Sequence, residues 1–163
     1  MNQSRILAEL QTRFNQSSII KSCSGEGCDV DMDDIPSERL IVNLENEFDL
    51  RQKTEKRGDR LLFFFHPTEN NLIAVTIELK SGAARESDVI EKLENSLIFI
   101  AQIAPTPIRS SIVYIPVLFE GRGIKWTNPK GTRQLKVSFQ GKRLQVLTGR
   151  CGRPRNLVGV LFG

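Results

Sequence analysis

The chain has 163 residues, 39% of them apolar and 26% charged, which suits one globular domain with a proper core and argues against two domains. No apolar run reaches the roughly 18 residues of a membrane span. The opening Met1-Asn2-Gln3-Ser4-Arg5 leads into an amphipathic pattern and not a signal-peptide core, so the expectation is a cytoplasmic protein with no membrane partner. The net charge of +4 conceals a segregation: all 19 acidic residues lie within positions 1–120, and from Gly121 onwards there are only basic ones, a pattern that points to a polyanion such as nucleic acid, with a merely solvated basic face as the alternative.

Taken in order, residues 3–15 read as a helix, with Ile6, Leu7, Leu10 and Phe14 at helical spacing. Residues 22–38 are Gly-, Ser- and Asp-rich and read as loop. Asp29, Asp31 and Asp33 alternate like the start of a calcium loop, but Asp34 stands where the glycine is needed and Leu40 where the glutamate is, which excludes that reading. Arg39–Leu44 is a first strand and the polar stretch Glu45–Gly58 a loop. Arg60–His66, with Phe63, Phe64 and Phe65 in succession, is a second strand. Pro67–Asn71 is a turn and Leu72–Lys80 a third strand. Arg85–Ala104 carries apolar positions at helical spacing and is stopped by Pro105 and Pro107. Ser111–Phe119 is a nearly continuous apolar strand, within which Pro116 implies an edge position or a bulge. Lys136–Phe139 and Arg143–Leu147 form a hairpin, followed by a Gly- and Arg-rich tail that closes with the apolar Leu157–Phe162. The order α-β-β-β-α-β-β-β implies an α/β (α+β) fold, a central mixed sheet flanked by helices, with a core over about 1–120 and a basic β-hairpin extension over about 121–163.

Cys23, Cys28 and Cys151 are an odd set with no signal peptide, which favours reduced thiols over a disulfide framework. Cys23 and Cys28 could be half of a zinc site, but a second pair is missing.

The chemistry concentrates in the second and third strands. Residues two apart in a strand share a face, so Glu78 and Lys80 stand side by side. If the turn is centred near Glu69, Asp59 falls opposite Leu79, and a register shift of one residue sets it across from Glu78 and on the same face. Two carboxylates at the rim of an apolar hairpin repel each other unless a cation lies between them. Magnesium, which prefers oxygen ligands and keeps several waters, answers that need, and Lys80 could then orient a water or neutralise developing charge. The bland alternative is an exposed Glu–Lys ion pair.

Gly58-Asp59-Arg60-Leu61-Leu62-Phe63 followed by Ile77-Glu78-Leu79-Lys80-Ser81-Gly82 resembles the PD-(D/E)XK nuclease superfamily, which has the restriction-endonuclease-like fold. The resemblance covers roughly residues 1–120. It implies Asp59 and Glu78 as metal ligands, the Leu79 carbonyl as a third, Lys80 as the catalytic lysine, Mg²⁺ (with Mn²⁺ able to substitute) as cofactor, and Glu9 on the first helix as an extra acid. The function it implies is phosphodiester hydrolysis, an endodeoxyribonuclease acting in defence, repair or mobile-element biology. A non-catalytic nucleic-acid- or protein-binding module of the same fold is the alternative. The chain departs from the motif in having Gly58 where the family often has proline. Cutting both strands usually needs two such centres, which raises a homodimer.

Arg122, Lys125, Lys130, Arg133, Lys142 and Arg143 are the candidate phosphate contacts. Trp126 lies among them and reads either as packing or as a base-stacking ring. His66 reads as a turn residue.

Overall fold

The computed structural model describes residues 2–127, 133–152 and 156–163. Helix α1 (Gln3–Gln11) starts at Asn2, whose side chain accepts from the Arg5 N–H, and turns Leu7 and Leu10 inward. A short 3₁₀ turn leads to β1 (Ile19–Ile20), antiparallel to β2 (Arg39–Asn43). Between them the loop is closed by a tight turn in which Gly25 and Cys28 exchange both backbone hydrogen bonds.

The stretch expected as loop after β2 opens instead with α2 (Leu44–Leu50). Asn43 caps it by accepting from the Asn46 N–H, Glu45 and Glu47 occupy its first turn, and Leu44 and Phe48 are buried. Two apolar anchors in seven residues are enough for a helix docked on a sheet, but too few to show a periodicity in the sequence.

β3 (Arg60–Phe65) and β4 (Leu72–Lys80) form the expected hairpin. β5 (Ala84–Arg85) leads into α3 (Glu86–Ile103), whose first turn carries Glu86 and Asp88 at the positive end of the helix dipole. After α4 (Thr106–Arg109), β6 (Val113–Glu120) runs parallel to β4, so α3 is the crossover helix that parallel pairing requires. β7 (Ile124–Lys125) pairs with β5, and β8 (Lys136–Phe139) with β9 (Lys142–Gln145). β10 (Leu147–Arg150) is parallel to β6, and α5 (Leu157–Phe162) ends the chain. The result is a mixed six-stranded sheet, β1-β2-β3-β4-β6-β10, flanked by helices.

The C-terminal third is therefore not only a hairpin appended to a core. The β8–β9 hairpin packs on α3, and β10 is a strand of the main sheet. Four residues containing a glycine and two polar side chains carry too little pattern to read as a strand. Pro116 lies in a strand flanked on both sides, yet the β10 ladder begins only at Val117, so at Pro116 itself β6 has no β10 partner.

The triple phenylalanine divides between the two faces, as strand alternation demands. Phe63 and Phe65 join Phe14, Phe48 and Phe99 on one face, and Phe64 packs with Ile41, Ile73 and Leu157 on the other. Each such side chain, fully buried, contributes about 1.5–3 kcal/mol. Cys28 and Cys151 are joined in a disulfide across a sequence separation of 123 residues, which corrects the expectation of reduced thiols; Cys23 alone is free. Sequence spacing could not reveal that pairing, because β10 brings Cys151 back to the Gly25–Cys28 turn. The half zinc site falls with it, since Cys28 is committed.

Candidate metal centre at the end of the hairpin

The ladder between β3 and β4 ends with Arg60 opposite Ile77, and the Asp59 N–H still donates to the Ile77 carbonyl at 2.9 Å. One step further Asp59 stands across from Glu78, which is the one-residue shift that the turn made available. The Asp59 face is the face of Leu61, Phe63 and Phe65, and Glu78 shares it with Leu72 and Ala74. Asp59 is fixed from β4 as well, its Oδ2 accepting from the Leu79 N–H at 2.7 Å. Leu79 thus meets the site through its amide N–H, and its side chain is buried on the opposite face.

Gly58 has its own reason. Its N–H donates to Ser96 Oγ at 2.7 Å, and Ser96 in turn donates to the Lys92 carbonyl on α3. A proline here would lack that N–H. A Cβ would come within 3.2 Å of both the Ile77 carbonyl and Ser96 Oγ. Helix α3 is thus tied to the backbone at Gly58, a tie that neither proline nor a larger residue would leave undisturbed.

Two groups of acids meet at Asp59. Glu26, on the crest of the Gly25–Cys28 turn, and Glu45, in the first turn of α2, each bring a carboxylate oxygen within 4.8 Å of the other and of Asp59. The turn is braced by Arg60, which donates to the Ser24 carbonyl at 3.2 Å and to the Asp59 carbonyl at 2.9 Å. Glu78, on the other hand, is only 2% exposed; its Oε2 takes an ion pair from Lys92 at 2.9 Å and its Oε1 has no hydrogen-bond partner. Lys92 also pairs with Asp88 at 3.2 Å, and Asp88 with Lys56 at 2.9 Å. A cleft of about 190 Å³ opens between Glu45, Lys56, Arg57, Gly58, Asp59 and Lys92.

The Glu78 carboxyl is pushed well above the usual carboxylate range, first by burial and then by hydrogen bonding and repulsion with Asp59; Lys92 opposes this without outweighing it. Burial favours a neutral Lys92, but Glu78 and Asp88 prevail and hold it up at about 12. The two shifts pull against each other, since Glu78 supports Lys92 only as an anion.

The donor set fits a hard divalent cation. The three carboxylates of Glu26, Glu45 and Asp59 offer only oxygens, the donor type such a cation takes, and Glu78 lies outside that group with its Oε1 buried.

The other sequence candidates separate. Lys80 ends β4, exposed, and makes no ion pair among the described residues. Glu9 sits in an exposed ion pair with Arg13 at 3.4 Å and is not in the acidic group; Glu45 and Glu26 are the extra acids, missed because α2 was invisible and because Glu26 lies in a loop. Lys92 was missed as one polar position among many on a long helix. Arg122, Lys125, Lys142, Arg143 and Arg133 are exposed, while Lys130 lies outside the described residues. His66 Nδ1 accepts from the Thr68 and Glu69 N–H groups, the turn role expected of it. Comparison with protein-family models, with curated proteins and with solved structures finds no match to this chain.

Proposed function

We propose that the chain is a metal-dependent nuclease of the PD-(D/E)XK type that hydrolyses phosphodiester bonds of DNA. The observation that carries this reading is Glu78 Oε1, buried without a partner beside Asp59 at the open end of the hairpin. Its support in the fold is the succession of a first helix, the antiparallel meander β2-β3-β4, helix α3 and a further strand β6.

Asp59 and Glu78 would hold Mg²⁺ or Mn²⁺, with Glu45 and Glu26 completing an all-oxygen set. When bound, such a cation lowers the pKa of a coordinated water and neutralises charge on the phosphate oxygens. Lys92 holds one Glu78 oxygen in place at 2.9 Å and offsets the negative charge of the acids, so that a phosphate can approach. Lys80, exposed at the rim on the Glu78 face, orients the attacking water or meets the charge that develops on the phosphoryl group. Arg122, Lys125, Lys142 and Arg143 hold the backbone by charge, with little sequence readout. A homodimer would supply the second centre that cleavage of both strands requires.

One observation favours a second reading, a non-catalytic binding module: Lys92 already pairs with Glu78, so the acids could be a residual ion-pair cluster. Incubation with plasmid and single-stranded DNA in Mg²⁺ or Mn²⁺, with EDTA and Glu78→Ala as controls, separates the two. Metal-dependent cleavage lost in Glu78→Ala is expected. DNA binding without cleavage, and without thermal stabilisation by metal, would overturn the enzyme reading.

A further inference from the structure

β4, β6 and β10 end in one row. Lys80 is the cross-strand partner of Glu120, and Glu120 of Arg150, so the three side chains share the face of Glu78. Neighbouring strands lie about 4.8 Å apart, which puts Arg150 roughly 10 Å from Lys80. The row ends in a cavity of about 200 Å³ lined by Glu120, Gly123, Ile124, Trp126, Thr148 and Arg150.

Three features define what this cavity can hold. Its volume is below the roughly 300–1,000 Å³ of pockets for drug-sized ligands and suits one planar heterocycle. Trp126 is partly buried, packed with Ile124 against the core under α3, and so offers a fixed aromatic wall. Glu120, Thr148 and Arg150 supply its polar side chains. Arg150 reaches Glu120 at 3.5 Å and the Gly121 carbonyl at 3.2 Å, and the Gly123 N–H donates to the Glu120 carboxylate, so donors and acceptors are held in position. Arg122 and Lys125 are exposed within two residues of this lining and form no ion pair among the described residues, which supplies positive charge for a phosphate backbone.

We propose that this cavity is a subsite for an unpaired nucleobase, stacked on Trp126, of a strand that runs along this row of strand ends toward the acidic centre. The inference rests on the nuclease reading and names the part of the substrate that the cavity takes: an unpaired base, as single strands and frayed ends present it. A paired base is stacked on both faces and cannot enter a cavity of this size, whereas an unpaired base gains an aromatic face and hydrogen-bonding groups for its exposed edge.

Trp126 is the only tryptophan, so its fluorescence reports on the cavity directly. The wild-type chain is titrated with an oligothymidylate and with a closed hairpin duplex of equal charge, both in EDTA so that cleavage plays no part. Saturable quenching by the single strand and little by the duplex is expected. Anisotropy of a labelled strand should give affinity weakened about ten-fold or more in Trp126→Ala and largely kept in Trp126→Phe. Equal quenching by duplex, no quenching at concentrations where anisotropy shows binding, no binding at all, or wild-type affinity in Trp126→Ala would each overturn the proposal. The quenching arm needs no variant and holds even if Trp126→Ala misfolds. Quenching without metal-dependent cleavage in a separate assay would keep the subsite and remove the nuclease.

Discussion

The proton on Glu78 should make metal binding and folding stability depend on pH in opposite senses. Glu78 is 2% exposed and faces Asp59, and its carboxyl is raised above the ordinary value of 4.5. A cation can take Glu78 only after displacing that proton, so below the raised pKa its affinity should climb about ten-fold per pH unit, one proton leaving per ion. Stability without metal should move the other way. The native state holds a proton that the unfolded chain gives up above 4.5, so the contribution is fully present below 4.5 and is lost as pH rises through the raised native pKa. The slope from this one group is at most about 1.4 kcal/mol per pH unit. Calorimetric titration with Mn²⁺ in two buffers of different ionisation enthalpy, at pH 6 and pH 8, counts the protons released. Urea unfolding at the same pH values, with and without metal, gives the stability limb. Glu78→Gln, which cannot titrate, should abolish both dependences. Equal affinity at the two pH values with no proton released would refute the buried-carboxyl account of this site.

The remaining expectations concern the frame around the centre. Reduction of the Cys28–Cys151 disulfide frees a loop closed over a separation of 123 residues, for which chain entropy predicts a loss of about 5 kcal/mol; a urea midpoint unchanged by dithiothreitol would contradict it. The same treatment should weaken metal binding, because Cys28 closes the turn that carries Glu26. Glu47 is fully buried and accepts from the Asn15 N–H and from Arg51 Nε at 2.7 Å, so Glu47→Ala should cost about 3–5 kcal/mol in chemical denaturation. Burial pushes the Glu47 carboxyl up, but Arg51, Ser18 and Asn15 overcome this and hold it below 4.5; its contribution is present above 4.5 and lost as pH falls through the lowered value, a loss that Glu47→Gln should not show. Lys80→Ala should lower cleavage about 100-fold or more with metal affinity and melting temperature unchanged, since Lys80 is exposed and makes no ion pair among the described residues, whereas Lys92→Ala should alter metal affinity itself.

What could be read from the sequence follows from how local the signal is. The β3–β4 hairpin was legible because its alternation, its turn and its two polar ends lie within 22 residues, and the Asp59–Glu78 pairing needed only a one-residue choice of register. Helix α3 was legible from its length and from Pro105. Glu45 was not, because α2 is seven residues held by tertiary packing of Leu44 and Phe48. Glu26 and the Cys28–Cys151 bond were not, because both depend on where β10 returns in the sheet, a contact more than 100 residues away. Lys92 lies between these cases: the helix was visible, but which turn faces Glu78 depends on how α3 docks across β4.

Charge is segregated along the chain but not in space. Placing β10 beside β6 brings Arg150 into the row that holds Lys80 and Glu120, on the sheet whose β3–β4 end carries the acidic centre. That juxtaposition bears on the two readings of the site. Acids gathered from four separate segments, at Glu26, Glu45, Asp59 and Glu78, would by themselves repel a phosphate backbone that the neighbouring basic residues attract. Lys92 meets only one Glu78 oxygen and leaves the other without a partner, so protein cations do not resolve the conflict. On the proposed reading, a divalent cation among the acids would remove the repulsion and make the end of the hairpin a place where a phosphate can rest. A binding module that only held nucleic acid would be better served by neutral residues at these four positions. These acids are the feature on which the proposed metal-dependent reading rests.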